Sequence, residues 1–335
     1  DAAEAEAVAG QLRTDLSGSG IWEELNLFLT ASIGISVYPD DGEDFGLLLK
    51  KAGAAMQQVK ETGKNGQLLY SLMPNRPDPD YGLYFEMKQA LRDGQFQVYY
   101  QPQLNLATGK PDGLEALIRW RHPERGLLYA NEFVPLAEQT GLIERLDEWM
   151  LESVCGQLRE WMESGFSPLR VSVNFSMQTL KKGNIVDQVR RIMQSKGVPA
   201  HLLEIEVTES WMMRQPEETV RTIVQLKELG ISVALDDFGM GYSSLNYLKR
   251  FPIDVLKIDR TFIADLLTDP RDVNIVKTMI VMAHHLRLKV VAEGVENEGQ
   301  LKLLRQIGCD AVQGYWLGCP MPAREVEKRL AKKTP

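Results

Sequence analysis

The sequence has little cysteine, little histidine, no long apolar run and a deficit of positive charge. Cys155, Cys309 and Cys319 are the only three cysteines in 335 residues. An odd, widely spaced set supports neither a disulfide framework nor a thiolate metal knot, so reduced thiols in a cytosolic protein are expected. The four histidines form no zinc pattern. His284 and His285 fall in a helical stretch as packing or capping residues, and His122, in RWRHPERG, shapes a loop. No apolar run approaches the roughly 20 residues a bilayer-spanning helix needs, and no signal peptide opens the chain. The 38 Lys and Arg against 46 Asp and Glu leave a formal net charge of −8. That balance argues against a general binder of DNA or RNA duplexes, while a small phosphate-bearing ligand held by local cations stays compatible with it. Position 1 is Asp rather than Met, so a longer protein is expected, with any sensor or membrane anchor upstream.

What is present is an ordinary globular composition, 44% hydrophobic, arranged in two parts. Residues 71–82, SLMPNRPDPDYG, interrupt the periodicity with three prolines and read as a linker. The expected division is an incomplete small α/β piece over 1–72, a linker over 73–81, and one large domain over 82–335. The first piece reads as a polar helix, an apolar strand in LFLTASIGISVYP, and a helix in DFGLLLKKAGAAMQQVKETGKNG whose last Gly fits a C-cap. After the linker, eight β-branched runs alternate with amphipathic helical patterns: QFQVYYQPQ, GLEALIRW, LRVSVNFS, LLEIEVTE, ISVALDDF, VLKIDRTF, LKVVAEGV and AVQGYWLG. The stretch from Glu132 to Gly165 reads as one continuous helical pattern. Only the short polar loop NLATGKPD joins the first two strands, which favours a hairpin there. The rhythm is that of an α/β fold, a modified (β/α)8 TIM barrel with one antiparallel strand.

In such a barrel the strand ends converge on one mouth. They carry Glu115, Asn174, Glu206, Asp236 with Asp237, Lys257, Glu293 and Gln313. Singly, Glu115 or Glu293 reads as a solvated loop acid, Asn174 as a turn former and Lys257 as a snorkelling lysine. Together they would bury so much negative charge at one mouth that a cation is required. Carboxylates with an amide are the hard oxygen set that suits Mg2+ or Mn2+. The pair Asp236 and Asp237 could serve two ions, an arrangement suited to in-line attack of water on a phosphodiester, with Lys257 orienting or deprotonating that water. Arg119 has the fork for a bidentate phosphate contact or for an ordinary strand-end ion pair. Gln101 offers a donor and an acceptor to a nucleotide or to a loop.

EALIRW, VNFS, EVTES, DDFGMGYSSL, LKID, AEGVE and QGYWLG, seven motifs in order over about residues 82–330, resemble the EAL domain, a family of bacterial cyclic di-GMP phosphodiesterases. The resemblance implies hydrolysis of cyclic di-GMP to linear pGpG in second-messenger signalling, with Mg2+ or Mn2+. Carried over by motif, Glu115, Asn174, Glu206, Asp236, Asp237 and Glu293 would be metal ligands and Lys257 would assist the water. Gln101, Leu117, Arg119, Asp237 and Gln313 would meet the dinucleotide. Glu209 would pin the loop after Asp237, Glu296 would be a supporting acid, and Gly239 and Gly241 would be hinges of that loop. The rival reading is a non-catalytic cyclic di-GMP receptor; a third is an unrelated metal-dependent barrel enzyme. Only the family suggests a homodimer through the face near residues 236–248. TASIGISVYPDDGEDFGLLLKKAGAAMQQVKETGKNG looks like the last third of a GGDEF domain, without the loop that would bind GTP, so an upstream sensor or GGDEF region is expected in a longer chain.

Overall fold

The computed structural model describes residues 2–18, 30–42, 45–62, 65–73, 81–181, 183–214, 216–240 and 248–331. The chain separates into two compact units, Asp1–Asp93 and Gly94–Pro335. Most of the proline-rich segment read as a linker lies outside the described residues, and the helix that follows it, Tyr81–Asp93, packs within the first unit. Among the described residues no helix is long and apolar enough to cross a membrane.

In the first unit, helices Ala2–Gly18 and Phe45–Glu61 cover a two-stranded parallel sheet, Ile33–Ile35 with Gln67–Leu69. Two small apolar clusters hold it, Ala9 with Ile35 and Leu69, and Ala54 with Ala55, Tyr70 and Met73. Gly34 is needed for contact: a Cβ there would lie 1.9 Å from the carbonyl of Ala52. The apolar strand is shorter than its sequence pattern, and residues 27–29 of that pattern lie outside the described residues. The helix ends at Glu61, short of the Gly66 expected as its cap, and Asn65 takes the left-handed backbone instead, with φ 49°.

The second unit is the barrel. Its strands are β1 Phe96–Asn105, β2 Pro111–His122, β3 Arg170–Asn174, β4 Leu203–Thr208, β5 Ser232–Phe238, β6 Val255–Ile258, β7 Lys289–Ala292 and β8 Ala311–Gln313. β2 through β8 run parallel to their neighbours, and β1 closes the ring antiparallel to both β2 and β8. The hairpin between β1 and β2 therefore sets one reversed strand in an otherwise parallel barrel. Gly126–Tyr129 adds a short strand to β2, and Met321–Pro322 adds one to β1.

Outward residues of the strands, among them Val171, Ile205, Val233, Leu256 and Val290, join Val154, Leu158, Val189, Ile223, Val276 and Ile280 of the surrounding helices in one core. The long helical pattern is two helices, Ala130–Thr140 and Ile143–Glu163, parted by Gly141 at φ 73°. A residue at positive φ caps the first helix, and Gly alone adopts that state without a Cβ penalty.

Inward residues stack with period two, as a strand requires. Ala234, Val255, Val291 and Ala311 form a buried apolar layer inside the barrel. Each lies two residues before a mouth residue, Asp236, Lys257, Glu293 and Gln313 respectively. Short side chains below leave room for long polar ones above. Below the apolar layer the ring is charged again: Arg170 reaches Glu204 at 3.1 Å, and Lys289 reaches Asp112 at 2.8 Å.

Candidate active site

The mouth is organised round one lysine. Lys257 comes from β6 and its side chain is 1% exposed; its Nζ lies 2.7 Å from Glu206, 2.6 Å from Glu293, 3.2 Å from Asp236 and 3.6 Å from Glu115. Those acids come from four other strand ends, so residues far apart in sequence meet only because the barrel closes. Asn174 donates to Glu115 at 2.9 Å, and Gln313 donates to Glu115 from the opposite side.

One ammonium among four carboxylates leaves three negative charges in excess if all are ionised. The acids respond by holding protons. Burial and the charge of Glu115 push Glu206 well above the usual carboxylate range. Burial pushes Glu293 up to about 8, with Lys257 opposing the shift. Burial also pulls on Lys257, but Asp236, Glu115, Glu206 and Glu293 more than offset it and hold the ammonium well above its usual value. As it stands, Lys257 is a fixed positive charge.

The donor set suits a hard divalent cation. Every candidate ligand is an oxygen, and Glu206 Oε1 is buried with no hydrogen-bond partner. Among the described residues, no three acidic, His or Cys side chains converge on a common ion position; the Lys257 ammonium stands among the four acids.

Asp237 follows Asp236 across a register shift between β5 and β6 and has φ 54°. Its N–H donates to Asp236 at 3.0 Å. Among non-glycine residues Asn, Asp and His adopt that conformation most readily, and Asp237 is exposed at the mouth. Partial burial and then the charge of Asp236 push its carboxyl up to about 6. Gly239 donates its N–H to buried Glu209 at 3.1 Å. Gly239 has φ 104°, and a Cβ there would lie 2.5 Å from the Phe262 ring. Gly241 and the rest of the expected mobile loop lie outside the described residues.

Arg119 lies on the same face of β2 as Glu115 and Leu117. Its guanidinium carbon is 4.8 Å from the Tyr129 ring centre and 5.8 Å from that of Tyr99, and Nη1 donates to the Ile118 carbonyl at 2.8 Å. Burial lowers its pKa, with Tyr129 opposing. Leu117 and Asn174 border a cavity of about 330 Å3 with Val134, Met150 and Phe175. Gln101 accepts from Gln313 at 3.0 Å and donates to the Gly318 carbonyl at 3.1 Å.

Glu296 is the exception among the residues expected at the mouth. It is exposed, and its backbone N–H donates to Gln300 at 2.8 Å in the cap of helix Glu298–Gln306. Two residues escaped the sequence reading. Asp147 is buried on helix Ile143–Glu163, accepting from the Ser176 N–H at 2.9 Å and the Thr179 hydroxyl at 2.7 Å, which fixes the turn directly after Asn174. An acid on the apolar stripe RLDEWM was its signal. Gln103, two residues beyond Gln101, also faces inward. His122 does shape its turn, its Nδ1 accepting from Glu124 and Arg125 N–H groups at 3.1 Å. All three cysteines are free.

The EAL domain family model matches residues 86–320, and the diguanylate cyclase, GGDEF domain model matches residues 1–66. Cyclic di-GMP phosphodiesterase NbdA of Pseudomonas aeruginosa is 45% identical over 305 residues, which are 91% of this chain and 39% of that protein. The bifunctional diguanylate cyclase/cyclic di-GMP phosphodiesterase MucR of the same organism is 41% identical over 305 residues, 90% of this chain and 44% of that protein. The chain thus spans about two fifths of the length of these curated relatives. Among solved structures, the PaMucR phosphodiesterase in complex with c-di-GMP superposes with a TM-score of 0.71 at 42% identity, covering 73% of this chain and 99% of that one. A barrel with one reversed strand, the carboxylate cluster at its mouth and these matches lead to one assignment: the chain belongs to the EAL domain family, with a GGDEF-family segment at residues 1–66.

Proposed function

We propose that this chain hydrolyses one phosphodiester of cyclic di-GMP to give linear pGpG. The observation that carries the reading is the cluster of four acids round Lys257, with an excess of negative charge and a bare, buried Glu206 oxygen. A pure receptor has no chemical need for such a cluster. Glu115, Asn174, Glu206, Asp236, Asp237 and Glu293 would hold Mg2+ or Mn2+, two ions by their number. A divalent cation bound there supplies positive charge to the phosphodiester and acidifies a water. Lys257 keeps a fixed positive charge beneath the reacting phosphate and offsets charge developing on it. Glu206 and Glu293 would have to give up their protons to hold a cation. Arg119, held between two tyrosine rings, presents its fork to a phosphate, and Gln101, Leu117 and Gln313 contact the dinucleotide. A cytoplasmic location, a homodimer through the face near residues 236–248 and an upstream GGDEF or sensor region belong to the same reading.

The deciding assay is pGpG production from cyclic di-GMP with Mg2+, Mn2+ or Ca2+. Protein that binds cyclic di-GMP with Mg2+ or Mn2+ present, yet releases no pGpG on long incubation, would establish the receptor instead.

Cation binding also has a pH signature. The folded, metal-free chain keeps protons on Glu293 up to about pH 8 and on Asp237 up to about pH 6, whereas the unfolded chain releases both near pH 4. The unfolded state therefore binds fewer protons across that window, and metal-free stability falls as pH rises from about 5 to 8. Mg2+ competes with those protons, so the rise in Tm on adding Mg2+ should be larger at pH 8.5 than at pH 6. Thermal denaturation with EDTA or Mg2+ at both values measures it, and an Mg2+ effect independent of pH would contradict the assigned ligands.

A further inference from the structure

Three glutamines inside the barrel form a chain whose direction is fixed at both ends. Gln103 Nε2 donates to Gln313 Oε1 at 3.1 Å. Gln313 Nε2 donates to Gln101 Oε1 at 3.0 Å and also to Glu115 Oε2. Gln101 Nε2 donates to the Gly318 carbonyl at 3.1 Å. All three are buried, Gln103 at 1% exposure, Gln313 at 5% and Gln101 at 7%.

An amide can flip, but here chemistry settles its sense. Glu115 accepts from Asn174 at Oε1 and from Gln313 at Oε2, so the Gln313 group facing Glu115 is its NH2. Gln313 Oε1 then faces Gln103, and Gln103 must present a donor to it. At the other end a backbone carbonyl only accepts, so Gln101 must turn its NH2 to Gly318 and its oxygen to Gln313. The two ends agree. Gly113, paired with Gln103 across β1 and β2, makes the room: a Cβ there would lie 2.6 Å from Gln103 Oε1.

We infer that Gln103 is a positioning residue of the active site, whose side-chain NH2 fixes the Gln313 amide and through it the orientation of Glu115. Gln103 touches neither the acid cluster nor the mouth. It acts through one intermediary on a carboxylate that the proposed function makes a metal ligand, and the inference rests on that reading. Partners of this kind, one step removed from a metal, typically change metal affinity or activity by 10- to 100-fold.

The test compares Gln103→Glu, Gln103→Met and the parent chain by Mn2+ calorimetry, by kcat and KM for cyclic di-GMP, and by Tm in EDTA. Gln103→Glu puts an acceptor where a donor is required, so Gln313 flips and turns its oxygen on Glu115. Mn2+ affinity should fall about 10- to 100-fold, kcat at limiting Mn2+ should fall with it, and KM at saturating Mn2+ should stay within about twofold. Gln103→Met removes the donor without reversing it and should fall between the two. If both variants lower Tm while Mn2+ affinity stays at the parent value, Gln103 only packs and the inference is overturned. A parent chain that binds Mn2+ but yields no pGpG would sink the phosphodiesterase reading and leave the calorimetric comparison to decide this one.

Discussion

Replacing Glu115 by Ala should abolish turnover while the barrel stays folded. Glu115 is one of four acids facing a single ammonium, and its Oε1 is held by Asn174. Removing it takes the acceptor from one Asn174 donor and from Gln313, a cost of about 1 kcal/mol each, but it also removes an acid from a crowded acidic cluster. The two effects oppose each other, so Tm in EDTA should move by only a few degrees. Catalysis has no such compensation, because a lost ligand weakens the cation that the acids gather. A fall in kcat of about 10³-fold or more is expected, equivalent to about 4 kcal/mol of barrier. The rise in Tm on adding Mg2+ should shrink in parallel. Global unfolding of Glu115→Ala by circular dichroism would make the residue structural and remove it from the site.

Lys257→Ala should behave in the opposite way. Its side chain is the cation at the centre of Glu115, Glu206, Asp236 and Glu293. Deleting one partner of a buried ionic group costs about 3–5 kcal/mol, because the remaining charges lose their compensation. For a unit of this size that corresponds to a fall in Tm of roughly 6–20 °C in EDTA. Mg2+ or Mn2+ should restore much of it, since a divalent ion can take over the neutralising role. The metal-induced rise in Tm should therefore exceed that of the parent chain. With metal saturating, hydrolysis should remain slowed by about 10²-fold, since the fixed charge beneath the phosphate is gone. A variant as stable as the parent in EDTA would mean that, once Lys257 is gone, the acids neutralise one another by taking up protons.

These two residues also show what the sequence could and could not carry. Four mouth residues end a short pattern in which a small or β-branched residue, an apolar residue and a polar residue follow one another: Ala234-Leu235-Asp236, Val255-Leu256-Lys257, Val291-Ala292-Glu293, Ala311-Val312-Gln313. Period two places the first and third inside and the second in the outer core, so which residues face the mouth was legible locally. That Lys257 stands at the centre of the acids was not, because no local spacing sets distances across a closed ring. Gln103 and Asp147 were missed for a related reason: a buried polar side chain is recognisable only once its partners are placed. Glu296 follows the AEGV strand end in sequence, but the turn after Val295 carries it to the surface. Gly141 was present in the long helical pattern, yet the periodicity on both sides concealed the break.

The reversed first strand has a mechanical consequence. Because β1 runs against its neighbours, its first residues lie at the mouth end: Phe96 pairs with Trp120 and Gln97 with Arg119, near the close of β2. In an all-parallel barrel the chain would enter at the far end, below the apolar layer. Here it enters at the end where the acids converge, and an unbroken strand links Phe96 to Gln101 and Gln103 without an intervening loop. A pull or twist on the chain arriving at Gly94 acts directly on the strand that holds the glutamine chain and faces Glu115. The strand by which the chain enters the barrel thus also lines the mouth.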